Sequence, residues 1–312
     1  MLPSYIFTGA ELAGKKTEME AKVAEILSGI TPEMGEYEKA LYLHDRLAAI
    51  VTYVDGPNAH NAYGALVEGK AVCEGYAEAY QYLLQQVGIQ SHNITGSSYN
   101  AGTGAYEGHE WTCARIDGKY YHIDVTWDDQ GEVLYHAYFG LSDARIQEDH
   151  VIEVPAYALP VCDSGEALYF RGKPELLESY TVASVAELLQ DNGGTVHVYI
   201  PGNVQTFIDW YYANIYAIAT QMGLNGFQSR MQYLGREIVL TLKAPQPEFD
   251  PGDINGDGKI NNKDASRLFQ YLAGWDVEVN EAALDVNGDG KVNNKDASRL
   301  FQHLAGWDVE IH

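Results

Sequence analysis

Cysteine and basic residues are both scarce in this chain. Its three cysteines, Cys73, Cys113 and Cys162, can form at most one disulfide, which excludes a disulfide scaffold and leaves the cellular compartment open. The 312 residues carry 20 Lys and Arg against 44 Asp and Glu, for a formal net charge of -24. Surfaces that bind phosphates need clustered positive charge, so neither nucleic acid nor a membrane is an expected partner. We interpret Cys113 and Cys162 as structural.

Long apolar runs are also missing. The longest one, from Trp210 to Leu224, is interrupted by polar residues and falls short of the roughly 20 residues that span a bilayer. The first ten residues, MLPSYIFTGA, lack the basic start and the apolar centre of a signal peptide. This absence fits either a cytoplasmic protein or a sequence whose signal peptide has been trimmed.

The length of the chain predicts two or three domains. In residues 1–160, the helical patterns TEMEAKVAEILSGI and EYEKALYLHDRLAAIVTYV precede a third helix and several strand-like segments, which indicates an α+β domain. Residues 161–244 alternate the strand-like ALYF, TVHVYI and REIVLTLK with helical patterns, so we expect a small α/β accessory domain. Three prolines in KAPQPEFDPGD predict a stiff linker at 245–252, ahead of a third domain at 253–312.

The stretch GKAVCEGYAEAYQYLLQQVG, residues 69–88, places a cysteine at the start of an amphipathic pattern. Apolar residues recur at three- and four-residue spacing after Cys73, which predicts a helix that begins there. The unpaired amides and the dipole at a helix N-terminus stabilise a thiolate, so Cys73 is a candidate nucleophile. Free cysteines are often buried small hydrophobes instead, and position alone does not separate the two interpretations.

The segment GHEWTCARIDGKYYHIDVTWDD predicts a β-hairpin. β-prone residues flank an Asp-Gly dipeptide at 117–118, which favours a two-residue turn. With Ile116 opposite Lys119, the register continues to Trp111 opposite Asp124. A slip of one residue would reverse every face assignment, so these pairs depend on the turn.

The same register brings together the side chains that a cysteine nucleophile requires. His109 falls opposite Thr126 and shares one face of the hairpin with Asp124, their Cα atoms roughly 7 to 8 Å apart as diagonal neighbours. A thiol nucleophile needs a histidine base, and a carboxylate holds that base in one tautomer and orientation. His122 lies on the same face and is the alternative base.

The segments GKAVCEGYAEAY and GHEWTCARIDGKYYHIDVTWDD resemble the core motifs of the transglutaminase-like superfamily of papain-fold cysteine enzymes. The specific feature is the order Cys, then His-x-Trp, then Asp-x-Thr-Trp, and the resemblance covers roughly residues 15–155. It implies a transglutaminase-like (papain-like) core in which Cys73 is the nucleophile, His109 the general base and acid, and Asp124 the residue that orients the histidine. The family chemistry is acyl transfer from an amide through a thioester, and no cofactor is expected for it.

Attack on an amide also requires hydrogen-bond donors for the oxyanion. The backbone N–H of Cys73 is the expected first donor. By resemblance to bacterial members, Tyr63 in NAHNAYGALVEGKAVC is a candidate second donor, and a core aromatic is the alternative. Trp111 and Trp127 are expected to pack near the thiolate and shape a groove. His150 is a candidate groove residue by the same resemblance, although we expect a surface histidine.

The C-terminal part of the chain is a duplication. DINGDGKINNKDASRLFQYLAGWDVEV from Asp253 recurs as DVNGDGKVNNKDASRLFQHLAGWDVEI from Asp285, with four differences in 27 aligned positions. Each copy carries oxygen-bearing residues at the spacing of an EF-hand calcium loop, although position 12 is Asp where EF-hands favour Glu. We therefore expect two calcium ions. The predicted ligands are Asp253, Asn255, Asp257, the Lys259 carbonyl, Asn261 and Asp264 in the first loop, and Asp285, Asn287, Asp289, the Lys291 carbonyl, Asn293 and Asp296 in the second.

Each loop is followed by one helical pattern and is not preceded by an amphipathic helix, unlike a calcium sensor. This arrangement over residues 250–312 resembles a dockerin, an all-α module that docks secreted bacterial enzymes onto the cohesin domains of a scaffoldin. The resemblance implies an extracellular protein, in a cell-surface or cell-free complex. Near-identity of the copies suggests that either one can face the cohesin. The residues implied at that surface are Asn262, Lys263 and Arg267, or Asn294, Lys295 and Arg299.

Together these features predict a secreted cysteine peptidase or amidase that acts on protein or peptide amides and is recruited to a cellulosome-like complex. A crosslinking or deamidating transglutaminase is an alternative, because one thioester can pass to water or to an amine. A noncatalytic protein-binding module of the same fold is a second alternative. A third assigns polysaccharide binding to the Tyr-rich accessory segment, although aromatic residues at helical spacing more often form a core.

Overall fold

A computed structural model describes residues 9–100, 102–153, 159–245 and 250–312 of the chain. They fall into two compact units, the first being Met1–Asn225 with Ser229–Lys243, and the second Gly226–Gln228 with Ala244–His312. The predicted linker at 245–252 includes 246–249, which lie outside the described residues. The segment 161–244 lies almost entirely in the first unit, and its separate domain status stays a prediction.

Helices occur in both units. The α-helices of the described residues are α1 (Gly9–Leu27), α2 (Glu36–Ile50), α3 (Cys73–Gln86), α4 (Val125–Asp128), α5 (Asp143–Ile146), α6 (Val182–Asp191), α7 (Val204–Gln221), α8 (Asn262–Leu272) and α9 (Asn294–Leu304). A π-helical turn covers Gly64–Glu68 and a 3-10 turn covers Glu281–Ala283. No described helix combines the length and the apolar character that a membrane span requires.

The strands of the described residues lie in the first unit, except for Gln228 at the start of the eleventh strand. They are β1 (Thr52–Tyr53), β2 (Lys70–Ala71), β3 (Ser91–Asn100), β4 (Ala105–Ile116), β5 (Lys119–Ile123), β6 (Asp129–Gln130), β7 (Val133–Leu134), β8 (Phe139–Leu141), β9 (His150–Ile152), β10 (Thr195–Tyr199), β11 (Gln228–Leu234) and β12 (Glu237–Lys243). The main sheet is antiparallel with the order β8-β5-β4-β3-β9, and a second sheet has the order β10-β12-β11. This mixed architecture confirms the α+β fold class.

The helix α3 begins at Cys73, as its apolar spacing predicts. Its buried stripe, which includes Tyr76, Tyr80 and Leu83, packs in one core with α2 and with the central strands. The helix α2 ends at Ile50, earlier than its sequence pattern predicts. The β-branched Val51 is extended there, and the following two residues form β1 instead.

The hairpin register is confirmed from its turn to the end of β5. Asp117 and Gly118 have φ values of 50° and 88°, as a primed two-residue turn requires, and Ile116 pairs with Lys119. The ladder ends where Thr112 pairs with Ile123. The expected continuation of the ladder to Trp111–Asp124 and His109–Thr126 is wrong, because the chain leaves the strand at residue 124 and begins α4.

Residues 161–244 contain α6, α7 and the second sheet. The prediction of a strand at ALYF is wrong, because these residues form turns packed against β8. The polar strand β11 was not predicted, since it has no alternating apolar pattern. The helix α7 buries Phe207 and Tyr211 and exposes Tyr212 and Tyr216. Val239 of β12 packs in the same cluster as Trp111.

The duplicated tail folds as two loop-helix repeats around a small core. Leu268 and Leu300 occupy equivalent positions in α8 and α9 and are both fully buried. Each helix starts with a capping box, in which the Asn before the helix and the Asp three residues later exchange hydrogen bonds with backbone amides. The repeat in sequence is therefore a repeat in structure.

Close packing at α3 gives a test of the fold. A Cβ at Gly75 would lie 2.2 Å from the carbonyl oxygen of Ala59 and 2.9 Å from the Cβ of Ala71. We predict that Gly75→Ala lowers the free energy of unfolding by about 1 to 3 kcal/mol, because the backbone must shift. Gly14→Ala in the exposed α1, where no atom lies within 4 Å, should leave stability unchanged or raised. Thermal denaturation measures both, and equal melting temperatures would contradict the prediction.

Candidate active site

Cys73 lies half-buried at the N-terminus of α3. The side chain of His109 and the backbone of Glu110 and Glu74 lie close enough to its sulfur to interact with it. Burial raises the pKa of the Cys73 thiol, but the hydrogen bond and charge of His109, with these backbone contacts, outweigh burial and lower it below its usual value. The helix terminus and β4 therefore both stabilise a thiolate.

His109 connects this sulfur to a buried carboxylate. Its Nε2 lies 2.6 Å from Oδ2 of Asp124, which leaves Nδ1 for Cys73. Burial lowers the pKa of His109, yet the charge of Asp124, its hydrogen bond and the cysteine raise it to about 10. The structure thus brings the three predicted residues together in the order thiol, imidazole and carboxylate.

Asp124 also sets the local backbone. It is the N-cap of α4, and its Oδ1 accepts a hydrogen bond from the backbone N–H of Trp127 at 3.1 Å. The carboxylate is 1 % exposed. The hairpin alone does not bring it to His109, because the strand has already ended; the capping geometry turns the carboxylate toward the histidine.

A second histidine contacts the same carboxylate. Nε2 of His150 lies 3.2 Å from Oδ2 of Asp124, and its Nδ1 lies 2.6 Å from Oδ1 of Asp149. His150 is 1 % exposed, so the expectation of a surface histidine is wrong. It is buried because β9 pairs with β3, with His150 opposite Ser98. Such a long-range pairing leaves no local signal in the sequence.

Trp111 and Trp127 both pack against His109, as expected for the surroundings of the thiolate. The Trp111 ring stacks on the imidazole with centroids 5.9 Å apart, and the Trp127 ring meets it edge-on at 6.2 Å. Nε1 of Trp111 donates to Nδ1 of His122 at 3.0 Å, while Nε2 of His122 faces Asp143 at 2.9 Å. His122, the alternative base, therefore has both ring nitrogens engaged by these neighbours.

Tyr53 is a site residue that the sequence analysis missed. Its side chain lies close to the backbone of Cys73, the expected first oxyanion donor, and its ring stacks on Tyr76. Partial burial and the nearby Cys73 raise the pKa of this phenol. By contrast, the hydroxyl of Tyr63 donates to Glu18. The parallel pairing of β1 with β2 places Tyr53 opposite Ala71, just before the nucleophile.

A cleft of about 1250 Å³ opens beside these residues. Its lining includes His109, Trp127 and several tyrosines contributed by distant parts of the first unit. Aromatic rings and scattered polar groups are typical of a groove that holds an extended ligand. The lining tyrosines are Tyr53, Tyr99, Tyr138 and Tyr233.

Three His-containing clusters of the described residues hold potential ligand atoms within 4.8 Å of one another: His44–Asp45–His136, His109–Asp124–His150 and His122–Asp143–Cys162. In each, a ring nitrogen of histidine faces a carboxylate oxygen at hydrogen-bond distance. These contacts account for the proximity of the groups without a metal ion, so none is assigned as a metal centre.

The two predicted calcium loops have a donor set that fits a hard cation. Both oxygens of Asp253 accept backbone amides of the first loop, at 3.1 Å from Asp257 and 2.9 Å from Gly258. The carboxylates of Asp253 and Asp264 are only 5 % and 0 % exposed. The second loop repeats these contacts. Oxygen donors of this kind, held in a tight loop, would hold calcium and supply no chemistry to the cleft.

Comparison with known protein families agrees with this geometry. Residues 21–125 match the family model of the transglutaminase-like superfamily, and residues 251–305 match that of the dockerin type I domain. These matches confirm the domain arrangement expected from the two motifs. No curated protein matches the chain significantly.

Several solved structures are similar at low identity. They include a structure titled "Crystal structure of a TGase" (14 % identity, TM-score 0.33, 42 % of this chain and 36 % of that one), a putative cysteine protease from Cytophaga hutchinsonii (16 %, 0.31, 54 % and 64 %) and an arylamine N-acetyltransferase from Bacillus cereus (16 %, 0.29, 35 % and 49 %). The chain spans less than two thirds of the length of each, and no function is inferred from them.

The lowered pKa of Cys73 can be measured directly. We predict that alkylation of Cys73 by iodoacetamide accelerates with pH at values below those of an ordinary thiol, because the thiolate forms beside the protonated His109. In His109→Asn this rise should move to higher pH. His92→Asn, in which the replaced ring lies against Tyr120, is the matched control and should keep the wild-type profile.

Peptide mass spectrometry locates the label. Cys113 and Cys162 are fully buried and should stay unlabelled in the folded protein. Overlapping pH profiles for wild type and His109→Asn would show that the histidine does not activate this thiol.

Proposed function

We propose that this chain, with its transglutaminase-like core and its type I dockerin, is an extracellular cysteine enzyme that transfers acyl groups from protein or peptide amides. The observation that supports this best is the continuous contact from Cys73 through His109 to the buried Asp124. The reaction needs these three groups and no catalytic cofactor. Hydrolysis of the amide is the favoured outcome, and transfer to an amine is the second candidate.

In this mechanism the Cys73 thiolate attacks the amide carbonyl carbon. A bond forms between sulfur and carbon, and the carbonyl oxygen becomes an oxyanion held by the backbone N–H of Cys73. The imidazolium of His109 then gives its Nδ1 proton to the leaving nitrogen, and the carbon–nitrogen bond breaks. The thioester that remains passes to water, which His109 deprotonates, or to an amine.

Tyr53 takes part at the oxyanion position. Its hydroxyl lies at the backbone of Cys73, so it must move aside or donate to the oxyanion when a substrate arrives. Its ring is 57 % exposed, although one face stacks on Tyr76. We assign Tyr53 the role for which Tyr63 was the sequence candidate, because the Tyr63 hydroxyl is held by Glu18.

A polypeptide is the substrate that fits the cleft. The cleft is large for a small amide, and its lining carries aromatic rings together with the carboxylates of Glu107 and Asp129. Rings of this kind pack on the apolar parts of an extended chain, while backbone groups and carboxylates hold its polar parts. Peptide amides thus fit better than a free amino acid amide.

The activity can be tested with a protein substrate and an added amine. We predict that casein, incubated with the protein and a primary amine, shows changes by mass spectrometry that Cys73→Ala abolishes. New peptide ends would support the peptidase, whereas amine adducts or deamidated glutamine without cleavage would support the second candidate. Cys162→Ser, which keeps the nucleophile, is the control for loss of a buried thiol.

Absence of any difference between wild type and Cys73→Ala across denatured casein and a peptide library would contradict the enzyme proposal. A noncatalytic protein-binding module would then remain. It would retain casein in a pull-down experiment without changing its mass.

We further propose that the dockerin recruits the enzyme to a cohesin through either repeat. Lys263 and Lys295 occupy equivalent positions, and their side chains are 78 % and 77 % exposed. Each also lies within 4 Å of the loop carboxylate of Asp257 or Asp289. The two candidate surfaces, with Asn262 and Arg267 or Asn294 and Arg299, are therefore presented in the same way.

Calcium binding by this unit is open to direct titration. We predict that the calcium-free full chain takes up two ions in isothermal titration calorimetry and that Asp264→Ala takes up one. The substitution removes a ligand and also the acceptor of the Asn255 and Asn261 backbone amides. Asp276→Ala, which removes an exposed carboxylate outside the loops, should still bind two. Binding of two ions by Asp264→Ala would contradict the ligand assignment.

A further inference from the structure

Two buried cysteines outside the catalytic contacts lie next to each other. Sγ of Cys113 and Sγ of Cys162 are 3.4 Å apart, although 49 residues separate them in the chain. Both side chains are fully buried. A disulfide bond has a length of about 2 Å, so the sulfurs need to approach by only about 1.4 Å. We propose that Cys113 and Cys162 form a disulfide in the secreted protein.

The backbone around each cysteine is already fixed. Cys113 belongs to β4 and is paired on both sides, with His92 of β3 and with His122 of β5. Cys162 is held at both of its backbone groups by Asp143, whose Oδ2 accepts from the cysteine N–H at 3.0 Å and whose N–H donates to the cysteine carbonyl at 2.7 Å. The fold therefore holds the two cysteines next to each other before any oxidation.

A metal ion is the competing explanation for this cluster, because His122 and Asp143 lie beside Cys162. The tautomer of His122 argues against it. An indole N–H can only donate, so Nδ1 of His122 accepts from Trp111, and the proton of the neutral ring must sit on Nε2. That N–H points at Asp143 and offers no lone pair to a metal. Cys162 keeps its contact with His122, and its nearest sulfur is that of Cys113.

The third cysteine is excluded from pairing by its position. Cys73 lies at the start of α3 and is hydrogen-bonded to His109, so the three cysteines divide into one nucleophile and one pair. The disulfide would join β4, which carries His109, to the segment that follows β9, which carries His150. It would thus link two parts of the chain, each of which supplies one of the two histidines that contact Asp124.

The proposal includes an oxidation, and its balance is simple. Two S–H bonds break and one S–S bond forms in the protein. An external disulfide, such as oxidised glutathione or the disulfide of a secretory thiol oxidoreductase, is reduced by the same two electrons and takes both protons as two thiols. Such donors occur in oxidising compartments, so the inference depends on the proposed extracellular location and not on the acyl-transfer chemistry.

Counting thiols in the unfolded protein tests the bond. The full chain, folded with oxidised glutathione, is denatured and alkylated with iodoacetamide, with and without prior reduction. We expect one label without reduction, on Cys73, and three labels after it. A peptide pair containing Cys113 and Cys162 should be lighter by two hydrogens than the sum of its reduced parts. Three labels without reduction would overturn the proposal, as would a stoichiometric transition-metal ion bound in addition to the two expected calcium ions in the native mass spectrum.

A second measurement separates a real bond from an artefact of oxidation. Reduction should lower the melting temperature of the wild type by several degrees, because the bond closes a long loop. It should not change the melting temperature of Cys113→Ala/Cys162→Ala, which lacks both sulfurs. An equal response of the two proteins would contradict a stabilising bridge. The alkylation rate of Cys73 and the activity of the protein are measured in separate experiments. A failure of the enzyme proposal would therefore not change the evidence for the disulfide.

Discussion

The buried carboxylate of Asp124 is the interaction on which the active site depends. A buried anion alone would cost several kcal/mol, and here His109, His150 and the backbone N–H of Trp127 surround it. Burial raises its pKa, but the two histidines outweigh burial and hold the pKa below the usual aspartate range. The carboxylate therefore stabilises the fold above the ordinary aspartate pKa, and this contribution is lost as the pH falls further.

The short helix α4 carries this carboxylate at one end and a second buried carboxylate, Asp128, at the other. Asp128 accepts the backbone N–H of Tyr138 at 3.0 Å and faces Nε2 of His44 at 3.1 Å. His44 belongs to α2, so the turn that holds Asp124 against His109 is anchored in the helical half of the core as well as in the sheet. A helix of four residues has little stability of its own. The contacts of Asp124 and Asp128 therefore stabilise α4.

Local patterns predicted much of this arrangement, and distant contacts account for the rest. The start of α3 at Cys73 follows from apolar spacing, and the hairpin turn follows from one Asp-Gly dipeptide, because each depends on neighbouring residues. His150 and Tyr53 reach the site through pairings with strands far away in sequence, β3 and β2. No local pattern marks such residues. The ligands predicted for each calcium loop all lie within one short repeat, so that prediction required no distant contact.

The choice between hydrolysis and transamidation depends on what reaches the thioester. The same three residues would serve both reactions. They do not determine which reaction occurs, so the difference depends on the groups that surround His109. Trp127 and Trp111 pack on the imidazole, whereas Tyr53, which lines the cleft, is 57 % exposed. A small nucleophile such as water can enter there without displacing an aromatic ring. A lysine side chain would have to pass between the rings that line the cleft, and this difference is the reason for proposing hydrolysis ahead of transfer to an amine.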